Sequence, residues 1–116
     1  MKTKIQIKDI QTLRSLRVDW HTKLESLFQW VCTVKDHVVV TCGYECRDYP
    51  SVHSVLPLRG LDIRSWIYRD PENVCRLINS VWQYDDKRPT KKCAIYHNSG
   101  RGDHIHLQVC KETVRC

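Results

Sequence analysis

The chain lacks any apolar run long enough to cross a membrane, because no stretch of about 18 apolar residues occurs in it. Its basic start, from Met1 to Ile5, is not followed by the apolar segment of a secretory signal peptide. Repeats, low-complexity stretches and linkers are also missing. We therefore expect one domain over residues 1–116, made in the cytoplasm and without a membrane segment.

Cysteine pairs of the Cys-x-x-Cys type are absent among the seven cysteines, whose number is odd. Zinc–thiolate sites usually contain such pairs, and disulfide frameworks use even numbers of cysteines. Without a secretory signal, we expect reduced thiols that serve mostly as small core residues. A zinc–thiolate site is the alternative.

Positive charge is in excess, with a net charge of +6, but the basic residues are spread along the chain. Lys87-Arg88 and Lys91-Lys92 form the densest group. This group either belongs to a solvated loop or attracts a polyanion such as nucleic acid or an anionic cell wall. Since the lysines and arginines do not line one helix face, nucleic acid is the less favoured partner.

Apolar residues recur at helical spacing in two parts of the chain. Between Ile10 and Val31 the pattern predicts one long helix, or two short ones broken near Val18. A second helix is predicted to begin at Pro71, with Asp70 as its N-cap. Residues 1–31 are therefore expected to form an N-terminal helical segment.

Short β-branched or alternating segments predict four strands, at residues 38–42, 60–64, 93–96 and 104–110. A tight turn at residues 98–102 should join the last two strands into a hairpin. The predicted fold class is α+β: a small antiparallel sheet with helices packed on one face.

Histidines alternate with apolar residues in the last predicted strand. His104, His106 and Gln108 share one face, and the two imidazoles lie about 7 Å apart along the strand. Imidazole is the commonest metal ligand and general acid/base. Asp62, between two apolar residues of another strand, and the loop residue His53 are candidate partners. Two histidines and a carboxylate suit a catalytic zinc, which keeps a fourth position for water.

Four motifs with these residues follow one another in order. They are Val40-Thr41-Cys42-Gly43-Tyr44 with Arg47, Ser51-Val52-His53, Gly60-Leu61-Asp62-Ile63, and Asp103-His104-Ile105-His106-Leu107-Gln108. In this order they resemble the zinc peptidase family of D-Ala-D-Ala carboxypeptidases, L-alanyl-D-glutamate endolysins of phages and the Hedgehog signalling domain. The resemblance covers about residues 38–109 and implies a Hedgehog/DD-peptidase-like fold, with residues 38–110 as its metal-site core.

The resemblance implies a set of metal ligands and a catalytic pair. His53, Asp62 and His106 match the residues that hold Zn²⁺. Asp103 matches the general base that activates the zinc-bound water. His104 matches a histidine that in some members does this work or steadies the oxyanion.

Two further residues and the reaction follow from the same resemblance. Arg47 matches an arginine that binds a carbonyl or carboxylate of the substrate, and Ser51 matches a residue that orders the substrate site. The implied activity is hydrolysis of peptide bonds of peptidoglycan by a phage or prophage cell-wall hydrolase of the endolysin type, as carboxypeptidase or endopeptidase. Such an enzyme waits in the host cytoplasm or is carried in the virion.

Two alternatives stay open, and the oligomeric state is not indicated. A zinc-binding relative without catalysis would act as a binding or structural protein, and a basic phage protein would bind nucleic acid. Two departures from the family lie in loops, where we expect them to alter the substrate pocket rather than the ligand set. Eight residues separate His53 from Asp62 where the family usually has six, and Glu45-Cys46 separate the Gly-Tyr pair from Arg47.

Three more histidines show no partner pattern. His21, His37 and His97 are not part of the four motifs. We expect them at the surface or in the core, without a role in the site.

Overall fold

A computed structural model describes residues 3–46, 48–97 and 102–116. Over these residues the chain forms three helices and seven strands: α1 (Ile10–Ser15), α2 (Thr22–Val34), α3 (Pro71–Val81), β1 (Lys4–Ile7), β2 (His37–Cys42), β3 (Gly60–Arg64), β4 (Trp82–Gln83), β5 (Ala94–His97), β6 (His104–Gln108) and β7 (Val114–Arg115). None of the helices in these described ranges has the length and apolar character that a membrane crossing requires.

Five strands form the main sheet, in the order β1-β2-β3-β6-β5. β1 runs parallel to β2 at one edge, and the other neighbours are antiparallel. The short strands β4 and β7 form a separate antiparallel pair. The protein is thus a small α+β protein with a mostly antiparallel sheet, which confirms the predicted class.

The core lies on one face of this sheet, because successive side chains of a strand point to alternate faces and the apolar ones share a face. In β3 and β6, Leu61, Ile63, Ile105 and Leu107 are fully buried. They join one cluster with apolar residues of two helices, which are Leu24, Leu27 and Val31 of α2, and Val74 and Ile78 of α3. Full burial of each such side chain contributes roughly 1.5–3 kcal/mol. This face fixes the sheet, so the alternate residues of β3 and β6 are turned to the opposite face.

The predicted helix α3 is confirmed, including its start. The Asp70 carboxylate accepts a hydrogen bond of 3.2 Å from the backbone N–H of Asn73, and Pro71 occupies the first turn. The predicted pairing of the last two strands is confirmed too, since β5 pairs with β6 in antiparallel register, whereas residues 98–101 of the predicted tight turn lie outside the described residues.

The N-terminal segment contains two helices with a break at residues 16–21, which confirms the second of the two predicted forms, two short helices broken near Val18. It differs from the prediction in that a strand, β1, precedes them. The helical spacing of apolar residues predicted a buried face for α1, but Ile10 and Leu13 are exposed. β1 could not be found from local pattern, because all four of its residues are exposed and its partner β2 lies about 30 residues further along the chain.

Candidate metal centre

Three ligand atoms from distant parts of the chain meet on the polar face of the sheet. Nε2 of His53 lies 3.2 Å from Oδ1 of Asp62 and 3.3 Å from Nδ1 of His106. The third distance, from Nδ1 of His106 to Oδ1 of Asp62, is 2.9 Å. All three residues are buried. We call these residues the His53–Asp62–His106 triad.

The sheet itself places two members of the triad. Asp62 of β3 lies directly opposite His106 of β6 in the antiparallel register. Directly opposed residues have their Cβ atoms about 4.5–5.5 Å apart on the same face. The contact between this carboxylate and this imidazole therefore follows from strand pairing alone.

The third member, His53, comes from the loop between β2 and β3, which lies against the end of β3. A Cβ atom on Gly60 would meet Cγ2 of Val52 at 2.4 Å, so only glycine permits this approach. The backbone N–H of Glu45 donates to the carbonyl of His53 at 2.7 Å, and the hydroxyl of Ser51 accepts from the His53 N–H at 3.2 Å. These contacts hold the imidazole over the sheet.

The outer nitrogens of both imidazoles are tied to carbonyl oxygens. Nδ1 of His53 lies 2.8 Å from the carbonyl oxygen of Gly43, and Nε2 of His106 lies 3.1 Å from Oε1 of Gln108. The amide nitrogen of Gln108 donates to the carbonyl of Lys92 at 2.8 Å, which supports this orientation of the amide. A carbonyl oxygen only accepts, so we assign the protons to the outer nitrogens. The inner nitrogens then direct lone pairs at the carboxylate.

Such an arrangement of acceptors favours a cation between them. Burial alone would lower the pKa of His53, but its hydrogen bonds to Asp62 and Cys42 and the charge of Asp62 raise it to about 10. Burial would raise the pKa of Asp62, but hydrogen bonds to His106 and His53 and their charges hold it well below its usual range. A proton on His53, or a metal ion in its place, supplies the positive charge that the triad requires.

Cys42 adds a sulfur atom on the outer side of His53. Its Sγ lies 3.8 Å from Nδ1 of His53, the nitrogen that donates to Gly43. The ligand atoms of Cys42, His53 and Asp62 all lie within 4.8 Å of one another, and this group could hold a metal ion. A metal on that side of the ring would have to displace the bond to Gly43, whereas one inside the triad would keep it.

All seven cysteines are free thiols in the structure. Their expected burial is correct for only part of the set: Cys75, Cys93 and Cys110 are buried, Cys32 and Cys42 are half-buried, and Cys46 and Cys116 are exposed. The prediction that they serve mostly as core residues was therefore too broad.

An open cleft of about 420 Å³ leads to the triad. It is lined by Tyr49, Pro50, Ser51, Val52, His53, Asp62, His97, His104, His106 and Gln108. Within it, Nε2 of His104 lies 3.6 Å from Oδ2 of Asp62. The predicted substrate residue Ser51 is thus at the cleft, in the same loop as His53.

Asp103 lines an adjoining cleft of about 450 Å³, together with Lys8 and Arg64 among others. The two clefts share Asp62 and His104. The structure therefore brings five of the predicted residues, Ser51, His53, Asp62, His104 and His106, together at one cleft and puts Asp103 in the adjoining one. Arg47, the predicted substrate arginine, lies outside the described residues.

His97 is exposed, which is one of the two positions expected for it, but it also lines the cleft, although no role in the site was expected. It pairs with His104 in the β5–β6 register, and its ring centroid lies 5.0 Å from that of His104 and 5.7 Å from that of His106. Burial and the neighbouring His104 and His106 lower its pKa. The predicted hairpin could have indicated this position, because pairing the last two strands around a turn at residues 98–102 brings residue 97 close to residue 104.

Comparison with known proteins identifies no relative: no family model, no curated protein and no solved structure matches the chain. The resemblance to zinc peptidases remains an interpretation of four motifs. The geometry of the triad and its cleft is what a functional proposal has to explain.

Proposed function

We propose that the protein is a zinc-dependent peptidase with a Hedgehog/DD-peptidase-like fold, in which His53, Asp62 and His106 hold the metal. The supporting observation is the spacing of their inner atoms, 3.2, 3.3 and 2.9 Å. Zinc–ligand bonds of about 2.0–2.1 Å put neighbouring ligands of a tetrahedral site about 3.3 Å apart. Little movement is needed to turn the triad into one face of such a site.

The number of ligands favours a catalytic site over a structural one. Structural zinc sites are closed by four protein ligands, whereas catalytic sites keep a position open. Here three ligands face an open cleft, and the outer bonds of His53 and His106 are those that orient zinc-bound imidazoles. A bound zinc ion would lower the pKa of a coordinated water to about 7 and polarise a peptide carbonyl.

Residues beside the triad supply proton transfer. Nδ1 of His104 donates to the carbonyl of Gly102 at 2.9 Å, so its Nε2 carries a lone pair that faces Asp62 and can accept a proton. The motif match assigns the general base to Asp103, which lines the adjoining cleft together with the same carboxylate. Asp103 as base, with His104 as the second proton acceptor, is the assignment we propose.

The proposed substrate is the peptide part of peptidoglycan, cut by a hydrolase of phage or prophage type. Stem peptides carry carboxylates, for which Lys8 and Arg64 of the adjoining cleft are candidate partners, beside the cleft's own carboxylates of Glu45, Asp62 and Asp103. The net charge of +6 would also favour association with an anionic cell wall.

Metal analysis combined with digestion of purified sacculi tests this proposal. We expect about one zinc per chain, release of peptide fragments, and loss of both in His106→Ala. His37→Ala is the matched control, since His37 is bonded to Gln6 at the far end of the sheet, and both properties should survive.

The outcomes separate the alternatives. Zinc bound without release of fragments would leave a metal-binding protein that does not act on the wall. A chain that takes up no zinc, or keeps its zinc in His106→Ala, would overturn the assignment of the triad.

A further inference from the structure

The Asp62 carboxylate has imidazoles on both of its oxygens. Oδ1 contacts the inner nitrogens of His53 and His106, at 3.2 and 2.9 Å. Oδ2 lies 3.6 Å from Nε2 of His104. Since Nδ1 of His104 donates to the carbonyl of Gly102, this Nε2 also presents a lone pair to the carboxylate.

A second imidazole accompanies His104 as His53 accompanies His106. The centroids of His97 and His104 are 5.0 Å apart with an interplanar angle of 39°. Those of His53 and His106, whose nitrogens approach to 3.3 Å, are 5.1 Å apart at 58°. The site thus contains two histidine pairs of similar ring spacing, of which one contacts Oδ1 of Asp62 and the other approaches Oδ2 through His104.

We propose that His97, His104 and Oδ2 of Asp62 form a second, weaker metal-ion site beside the first, with the Asp62 carboxylate bridging the two. The inference rests on the proposed function for the first site. Carboxylate and imidazole suit Zn²⁺ and Co²⁺. In two-metal hydrolases the ions lie about 3.5–4 Å apart, a separation that a bridging carboxylate spans.

Two features make this site the weaker one. His97 is exposed, and the side chain of His104 is 27 % exposed, whereas the triad is buried. A second cation would also share the negative charge of Asp62 with the first and be repelled by it. The second ion should therefore bind only after the triad is filled.

The site gives the protein a response to excess metal. A metal ion on Nε2 of His104 would remove the lone pair that accepts a proton there. Excess zinc should therefore inhibit hydrolysis at concentrations above those that fill the first site. Substitution of His97 should relieve this inhibition without removing the first metal.

Titration of the metal-stripped full chain with Co²⁺, followed by calorimetry and by metal analysis after equilibrium dialysis, tests the proposal without an activity assay. We expect two equivalents, the second at least about tenfold weaker. In His97→Ala the second should weaken by about 10–100-fold, as for loss of a metal-orienting or ligating group, and the first should be unchanged. His104→Ala should give the same result, while His37→Ala should bind both.

Exposed thiols are a competing source of metal binding. A variant with both Cys46→Ser and Cys116→Ser should keep the second equivalent, and its loss there would assign that ion to the thiols and overturn the proposal. One equivalent in the unmodified chain, lost in His106→Ala, would overturn the second site while leaving the proposed function intact. No bound metal at all would overturn both.

Discussion

The carboxylate of Asp62 and the imidazole of His106 face each other across two paired strands, 2.9 Å apart between Oδ1 and Nδ1. On the opposite face of the sheet, the fully buried residues of the same two strands pack in the core. Because this packing fixes both strands, the sheet itself positions these two atoms, which we propose as metal ligands. The loop residue His53 completes the set, so its loop decides how well the site is formed.

Gln108 is expected to tune metal affinity without being a ligand. Its Oε1 accepts from Nε2 of His106, and its amide nitrogen is anchored on Lys92. Gln108→Ala should weaken zinc binding by about 10–100-fold, because the ring of His106 loses the bond that fixes its tautomer and orientation. A competition titration with a chromophoric chelator measures this effect.

Gln29 offers the matched control for that substitution, since it is an exposed glutamine on α2. Gln29→Ala should leave the zinc affinity unchanged. An affinity in Gln108→Ala equal to that of the unmodified protein would mean that this bond does not orient the ligand.

Asp103 and His104 can be separated as proton acceptors. Asp103→Ala should keep the metal, because Asp103 is not a member of the triad, but should lose hydrolysis of sacculi if the carboxylate is the base. Zinc content and release of peptide fragments are measured on the same preparation. Full activity in Asp103→Ala, together with loss in His104→Ala, would transfer the role of base to His104.

Gly60 should be required for the seating of the His53 loop. In Gly60→Ala the new Cβ would meet Cγ2 of Val52 at 2.4 Å and its Cβ at 3.0 Å. Such overpacking costs about 1–3 kcal/mol, and displacement of the loop should also weaken metal binding. Denaturant unfolding and a zinc titration measure the two effects.

A double substitution tests whether this contact is the cause. Val52→Ala removes Cγ2, so Gly60→Ala should cost less free energy of unfolding in the Val52→Ala background than alone. Strictly additive effects would show that Gly60 acts through something other than its contact with Val52.

The cysteines should differ strongly in reactivity. Burial raises the pKa of Cys75 to about 11 and that of Cys93 to about 12. At pH 8 a thiol of pKa about 12 has on the order of a thousandfold less thiolate than one at the ordinary value of 9.0, and thiolate is the reacting form. The exposed Cys46 and Cys116 should therefore react first with a thiol reagent.

Mass spectrometry after timed labelling identifies the modified residues, and labelling in denaturant should modify all seven. Raising the pH should increase the labelling rate of the buried thiols, because more thiolate forms as the pH approaches their raised pKa values. Labelling of Cys93 at the rate of Cys46 in the native protein would mean that the core opens faster than the reagent reacts.

Local pattern predicted much of the core of the fold. Alternation in β3 and β6 follows from the two-residue period of a strand, and the capping of α3 follows from the side chain of Asp70. The pairing of β1 with β2 was not predictable in this way. It depends on how the two intervening helices, α1 and α2, return the chain to β1, and not on the sequence of Lys4–Ile7.

The residues of the candidate site likewise divide into those that the sequence indicated and those that only the structure revealed. His53, Asp62 and His106 were selected from the sequence by motif and residue type, but no pattern measured the distances between them. Gly43 and Gln108, which bind the outer nitrogens, and His97 were not selected, because their roles arise from contacts between separate elements.

Local alternation is enough to tell which residues of β3 and β6 face the core and which face the site, because strand geometry allows only these two directions. The path of the folded chain decided that His53 reaches the carboxylate and that His97 approaches His104. It also decided that both outer nitrogens of the triad meet carbonyl oxygens. These contacts depend on loop paths and strand register over long separations, which local periodicity does not encode.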